Sequence, residues 1–428
     1  MPLDGIVSKR PAALCSPRRP GNARAFMIRL FLDLGLLGLG LLGLLTSTIS
    51  ALLALVGLWL FRRDRPSLVA AFTPPVTLLK PLDGTEPNLE AHLASFFDQD
   101  YPQFEILFCA RSANDPGLEA ARRVATRHPQ IPTRFFSTGE RTYINAKVSS
   151  LELMHAAARH DIFIISDSDV RVARNYVREV VAPFAEEKVG AVTCLYRGAA
   201  DRGFWSRLEA AGMSVEMTSG VLTANLLEGM KFALGPTMAV RRACVEAMGG
   251  FGVLGPYCSD DFLLGAKVAD QGRTVVLSHH VIDHIILNLS FAASLRHQTR
   301  WMKSTRFSRP LGHLGTALTF SVPFGILAAL AALALHLPVL ALALLAYSIV
   351  NRMILAALVG SLAVHEHHLL RTIILYPIRD ILGFCCWAAS YWGSTILWRG
   401  RRYRLSRGGL MHPIGAQPAD DREHALTT

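Results

Sequence analysis

The sequence predicts an α/β domain with a mostly parallel, doubly wound sheet, held to a membrane at both ends. Three observations predict this. Strand-length apolar runs alternate four times with helix-period segments between residues 75 and 170, each run ends in polar residues, and long charge-free apolar stretches flank the region. Such alternation is the mark of repeated strand–helix–strand units, whose ligands sit at the carboxyl edge of the sheet.

The flanks come first. At 428 residues the chain exceeds one ordinary domain, and 51% of it is hydrophobic. No charge falls between residues 34 and 61, which is long enough to span a bilayer. A second apolar territory, 314–398, holds candidate spans at 314–335, 337–358 and 381–398, the last entered by Arg379 and Asp380 after Pro377. The first stretch is longer than a signal-peptide core and no A-x-A-like site follows it, so a retained anchor is expected. Gly38, Gly40 and Gly43 spell G-x-G-x-x-G inside this stretch, where they predict a helix-packing surface rather than a dinucleotide loop.

The organisation that follows is a basic tail at 1–33, a span at 34–61, a globular domain at 70–290, a basic amphipathic segment at 291–310, apolar segments at 314–398 and a basic tail at 399–428. The formal net charge is +11. Arg62, Arg63 and Arg65 follow the first span, and Arg399, Arg401, Arg402, Arg404 and Arg407 follow the last. This pattern suits anionic lipid headgroups and places the domain on the cytoplasmic side. Lys9, Arg10, Arg18, Arg19 and Arg24 pull the other way, so Met27 is expected to be the working start. No nucleic-acid reading module accompanies the charge. Seven cysteines without C-x-x-C spacing read as free thiols.

Within the domain, "PVTLLKPLDG" is a strand that exits at Lys80 and Asp83, and Leu89, Leu93, Phe96 and Phe97 then recur at helical spacing until Pro102. "FEILFCARSANDPG" exits at Asn114 and Asp115, ahead of a helix with Ala120, Ala121 and Val124. "TRFFSTG" is the third strand, and the next helix is expected to pack through Ala146, Ser150, Leu153 and Ala157. "DIFIISDSDV" closes the fourth strand with Asp167 and Asp169. An isolated D-S-D reads equally as a solvated turn, but acid-bearing exits converging on one edge favour a binding site. Downstream, Ser259 is expected to cap a helix that carries Asp260 and Asp261 in its first turn, with Phe262, Gly265, Ala266 and Ala269 as its packing face. Residues 294–310 set Arg296, Arg300, Lys303, Arg306 and Arg309 among apolar positions, with Trp301 as an interface anchor. His279, His280 and His284 lack partner spacing for a metal cluster and read as ordinary polar residues.

The motifs "KPLDGTEPNL", "FFDQDYP", "DPGLEAARR", "INAKVSSL" and "DSDVRV", followed by S-D-D and H-Q-T-R-W, resemble the ceramide glucosyltransferase family (glycosyltransferase family 21) and its bacterial relatives acting on hopanoid lipids. The resemblance implies a GT-A (Rossmann-like) catalytic domain with one N-terminal and two to three C-terminal transmembrane helices. It also implies an inner-membrane enzyme moving one sugar from a UDP-sugar donor to a membrane lipid acceptor. Carried over to this sequence, it makes Asp115 a donor contact near the nucleoside. It makes Asp167 and Asp169 the D-x-D that meets the diphosphate through a divalent metal, Mg or Mn. It makes Asp261 the catalytic base and Arg300 and Trp301 the R-W pair on the donor side. His297 departs from the motif's usual Gln or Arg. Lys147 and Arg300 are candidates to pair with phosphate oxygens, and a hard cation needs only one or two carboxylates beside the phosphates. The preferred acceptor is a hopanoid polyol taking N-acetylglucosamine. The alternatives are ceramide taking glucose, a processive polysaccharide synthase, which would need more helices, and a transporter or receptor that only binds.

Overall fold

The computed structural model describes residues 21–64, 72–140, 142–200, 202–398 and 400–415, so much of both basic tails, with Arg65 and Arg399, lies outside the described residues. The chain opens on a helix of 43 residues, α1 (Gly21–Arg63). Then come β1 (Val76–Pro81), α2 (Leu89–Phe97), β2 (Phe104–Ala110), α3 (Pro116–Arg127), β3 (Thr133–Ser137), α4 (Ala146–Ala157) and β4 (Ile162–Ser166). These four strands are parallel. β1, β2 and β4 are buried along nearly their whole length, which is why they read as unbroken apolar runs.

After β5 (Val170–Arg171) and α5 (Tyr176–Val181) the chain forms β6 (Val189–Ala199), α6 (Phe204–Ala211), a π-helical stretch (Gly212–Met217) and α7 (Thr218–Glu228). It returns as β7 (Thr237–Arg241), α8 (Arg242–Ala247), α9 (Asp260–Asp270) and β8 (Thr274–Ile285). The sheet order is β3-β2-β1-β4-β7-β6-β8-β5, with β7 antiparallel to both neighbours. The excursion through α6 and α7 accounts for this: the chain leaves β6 at the carboxyl edge and comes back from the same side.

Two helix faces differ from expectation. α4 buries Val148, Ser150, Leu151 and Met154, and Leu153 is exposed. The Asn145 side chain accepts from Lys147 N and starts the helix, turning Lys147 toward the sheet edge together with Leu151 and Met154, which stand at helical spacing from it. α9 buries Leu264, Gly265 and Val268 and packs Phe262 and Ala269 against the same core, so of its expected face only Ala266 stands apart.

On the membrane side lie α10 (Phe291–Ser308), α11 (Pro310–Thr316), α12 (Val322–Ala334), α13 (Pro338–Leu362) and α14 (Leu369–Ala389). Among the described residues, Arg24–Arg63 and Pro338–Leu362 are long and apolar enough to cross a membrane, and a third crossing counts if the pair Pro310–Thr319 and Val322–Ala334, bent by 50°, is one span. Gly40 and Gly43 pack closely on α12: a Cβ on either would collide with Ala328 or Phe324.

The expected span at 381–398 is corrected. α14 starts at Leu369 and runs through Pro377 to Ala389, and residues 395–398 form a strand instead. Arg379 and Asp380 are buried rather than at a surface entrance. Asp380 Oδ2 accepts from Ser321 N at 2.8 Å and Val322 N at 2.7 Å, so it serves the start of α12. The end of that expected span and the start of the expected tail fold into β9 (Thr395–Trp398), β10 (Arg401–Ser406) and β11 (Leu410–Pro413), an antiparallel meander. Its inner face, Ile396, Tyr403, Leu405 and Met411, is buried against Ile144, Cys258 and Phe307. The alternation Arg402-Tyr403-Arg404-Leu405 is the period-two signal for that strand.

Candidate active site

β4 stops at Ser166, and the next three residues turn across the carboxyl edge. Lys147 Nζ lies 2.6 Å from Asp167 Oδ1 and 3.7 Å from Asp260 Oδ2. Asp169 Oδ2 lies 3.1 Å from His284 Nε2 at the end of β8. The other Asp169 oxygen, Oδ1, is buried without a hydrogen-bond partner. From beneath, Lys80 Nζ donates to the Asp167 carbonyl oxygen at 2.6 Å, with the Phe96 ring centroid 3.7 Å away. Ser168 Oγ donates to Glu86 Oε1 at 3.2 Å. Acids and cations are interleaved in one small volume.

Burial and charge pull these groups in opposite directions. Burial drives the Lys80 ammonium down to about 7, against the upward pull of Asp167 and Asp169. Burial and the Asp169 charge raise Glu86 to about 7. Burial pushes Asp169 up as well, yet the His284 imidazole beside it holds it below the usual range. His284 is raised in return, Asp169 outweighing its burial. Lys147 is raised because Asp167 and Asp260 outweigh the cost of burying it.

Asp261, in the first turn of α9, accepts from Gly235 N at Oδ2 (2.9 Å) and from Phe262 N at Oδ1 (2.8 Å). Burial and the adjacent Asp260 raise its carboxyl to about 6. Asp260 Oδ1 accepts from Asn145 Nδ2 at 3.1 Å, so Lys147, Asn145 and Asp260 tie the D-S-D turn to the start of α9. Ser259 makes no cap bond to this helix. Its hydroxyl bonds to Ser304 at 2.6 Å and Ser308 at 3.0 Å on α10, joining the acid-bearing loop to the interfacial helix.

The remaining candidates spread along the same edge. Asp115 caps α3, with Oδ1 accepting from Gly117 N at 2.8 Å and Oδ2 from Gly84 N at 3.1 Å. It locks the exits of β1 and β2 together. Trp301 on α10 packs between His297, at 4.6 Å between ring centroids, and His284, at 6.2 Å. Arg300 lies over the Trp398 ring at 5.8 Å, so the meander flanks the R-W pair. His297 Nδ1 lies 2.6 Å from Glu209 Oε1. Burial raises Glu209, but His297 outweighs that and the carboxyl is held down, which gives the departing histidine a definite partner.

The structure therefore brings Lys147, Asp167 and Asp261 together and sets Asp169 beside them on His284. Asp115 stands at the neighbouring exits, and Arg300 and Trp301 stand on α10. Sequence reasoning gave no site role to Lys80, Asp260 and His284, named only as a strand exit, a first-turn acid and an ordinary polar residue, and it did not single out Glu86. The signal for Lys80 was a lone cation inside an otherwise apolar strand; for His284 it was the polar end of β8. Among the described residues no group of three or more His, Cys, Asp or Glu side chains could hold a metal by itself. The donor set nevertheless fits a hard cation that takes its other ligands from phosphate and water, and the unpartnered Asp169 oxygen has the coordination to give.

A family model described as "Glycosyl transferase family 21" matches residues 41–411. "Ceramide glucosyltransferase 1" of Caenorhabditis elegans is 26% identical over 54% of this chain and 49% of its own length. "Ceramide glucosyltransferase 3" of the same organism is 23% identical over 79% of this chain and 74% of its own. The chain thus spans about half of the first relative's length. Among solved structures, the "Mannosyltransferase PcManGT from Pyrobaculum calidifontis in complex with GDP-Man and Mn2+" is similar with a TM-score of 0.50 and 20% identity, over 83% of this chain and 99% of that one. That likeness shows the GT-A-type fold: a mixed, mostly parallel sheet covered by helices.

Proposed function

The chain belongs to glycosyl transferase family 21, and on that premise we propose that it is a membrane-bound inverting transferase moving one sugar from a UDP-sugar to a lipid alcohol. The observation that supports the reading is that Lys147 bridges Asp167 of the D-S-D turn to Asp260, the residue next to Asp261, at one sheet edge. In this reading residues 70–290 form the catalytic domain on the cytoplasmic face of the inner membrane.

Asp167 and Asp169 would hold Mg or Mn, which supplies charge neutralisation for the diphosphate leaving group. Lys147 and Arg300 add cationic contacts to phosphate oxygens, Asp115 lies toward the nucleoside, and Trp301 packs the donor side of α10. Asp261 takes the proton from the acceptor hydroxyl as its oxygen attacks the anomeric carbon. A carboxyl near 6 is ionised at neutral pH and is a stronger base than an ordinary aspartate. One displacement, with attack opposite the departing diphosphate, inverts that carbon.

For the substrates, the sequence departures favour N-acetylglucosamine onto a hopanoid polyol. The relatives named ceramide glucosyltransferases favour the rival, glucose onto ceramide. Purified enzyme offered each UDP-sugar with each lipid, read by mass spectrometry of the glycolipid, decides between them. A product from one pairing fixes donor and acceptor, and an absence of UDP-sugar binding contradicts the reading.

A further inference from the structure

The seam between α7 and α11 connects the membrane level to Asp261. α7 lies along the membrane-crossing α1, so closely that a Cβ on Gly57 would stand 2.6 Å from the Leu222 carbonyl oxygen. α11 leads through the 50° bend into α12. At this level Leu227 on α7 is 65% exposed, and Leu311 and Leu314 on α11 are 83% and 57% exposed. Large, mostly exposed apolar side chains continuous with spanning helices belong against hydrocarbon.

Inward from them the chemistry changes in order. Arg309, at the start of α11, pairs across the seam with Glu228 at the end of α7. Its guanidinium also lies 5.5 Å over the Phe232 ring. Phe232, buried, stacks on Phe262 with centroids 6.1 Å apart. Phe262 donates its amide to Asp261 Oδ1, and Gly235, which follows Phe232 in the same loop, donates to Oδ2. Exposed leucines, a partly exposed ion pair, two stacked rings and the base therefore form one continuous series.

We propose that this seam is the acceptor's way in. The lipid's hydrocarbon lies along Leu227, Leu311 and Leu314, and its hydroxylated head passes beneath the Arg309–Glu228 pair and along the stacked Phe232 and Phe262 to reach Asp261. The inference rests on the transferase reading above and adds to it the place of the lipid. The pair at the mouth suits the role, because an ion pair this accessible to water contributes little to stability and opens at little cost. Its atoms also offer donors and acceptors to a hydroxylated head.

The test uses the full chain in lipid nanodiscs, with ceramide and a hopanoid polyol offered separately. The double variant L227N/L311N is compared with L342N on α13, where Leu342 is equally open at 70% exposure. The acceptor KM should rise about 10-fold in the double variant, because its polar side chains no longer bury against the lipid, while the donor KM stays within about 2-fold. L342N should match wild type. Equal acceptor KM values in the two variants, or a parallel rise in donor KM, overturn the proposal.

The variant E228C/R309C, closed by a short bis-maleimide, tests it independently of the leucines. UDP-sugar binding should persist while glycolipid formation stops, and undiminished turnover after crosslinking overturns the proposal. If the wild-type enzyme binds no UDP-sugar, the transferase reading itself fails and the seam falls with it.

Discussion

At the carboxyl edge of the sheet a buried Lys80 stands among partly buried Lys147, Asp169 and Asp261, and on the membrane side buried Arg352, Arg379 and Asp380 stand with a partly buried Glu216, yet the two groups are built differently. On the membrane side each side chain has an opposite charge beside it. Arg352 Nη1 lies 3.6 Å from Asp380 Oδ1 and donates to the Thr319 carbonyl oxygen at 2.9 Å. Arg379 Nη2 lies 2.9 Å from Glu216 Oε2, and Arg379 also bonds to Gln298 on α10. Arg379 Nε alone in that group lacks a partner.

At the sheet edge, Asp169 Oδ1, Glu86 Oε2 and Asp260 Oδ2 are buried without hydrogen-bond partners. Asp261 stands near 6, and Glu86 and Lys80 near 7. Protein interiors seldom leave so many polar atoms unmatched unless a ligand completes them. The paired network fixes how α10 and α14 dock on the catalytic domain. The incomplete one is where the proposed reading places the ligand.

This contrast predicts which substitutions stop chemistry and which unfold the protein. The largest effect is at the base: Asp261→Asn should cut kcat by about 10²–10⁴-fold, measured as initial glycolipid formation at saturating donor. At neutral pH the same substitution removes a raised carboxylate but sets an amide N–H against Gly235 N or Phe262 N, so its two effects on Tm oppose each other. An acid whose carboxyl is raised to about 6 in the fold is destabilising above that pH, a cost that fades as pH falls below it. Wild-type stability that falls as pH rises through about 6, with a flatter dependence in Asp261→Asn, checks the raised carboxyl.

On the membrane side, Arg352→Met strands Asp380 and should cost about 3–5 kcal/mol of stability. It should appear as lost yield and a lower unfolding temperature in detergent, with the surviving folded fraction turning over normally. Lys80→Met should sit between the two classes. By releasing the Asp167 carbonyl it should weaken Mn²⁺ binding in the presence of UDP by about 10–100-fold, read by titration calorimetry. Unchanged metal affinity would move Lys80 to the structural class. The smallest signal is in the pH profile: below about 6 the rate should fall tenfold per unit as Asp261 takes up a proton. In Asp261→Asn that limb should disappear from the residual rate.

Much of the edge was legible in the sequence because its residues close short apolar strands. Asp167 and Asp169 end a run that only a doubly covered strand explains, and Asp115 sits before Pro116 at a helix start. The direction of β7 was not legible, since it depends on where the helical excursion re-enters the sheet. The meander at 395–413 hid behind its arginines, and the role of Ser259 depended on α10, distant in the chain. Lys80, His284 and Asp260 escaped for a similar reason: each meets its partner across the fold, from β1 to β4, from β8 to the D-S-D turn, and from α9 to α4.

The central claim is that two sets of acids at one edge divide the work, D-S-D holding the donor through a cation and Asp261 moving the acceptor's proton. The direct measurement is Mn²⁺-dependent UDP-sugar binding and glycolipid turnover, made side by side on Asp169→Asn and Asp261→Asn. The account predicts that Asp169→Asn loses metal-dependent binding, and that Asp261→Asn binds donor as wild type does while turnover collapses. Donor binding lost in Asp261→Asn and intact in Asp169→Asn would contradict it.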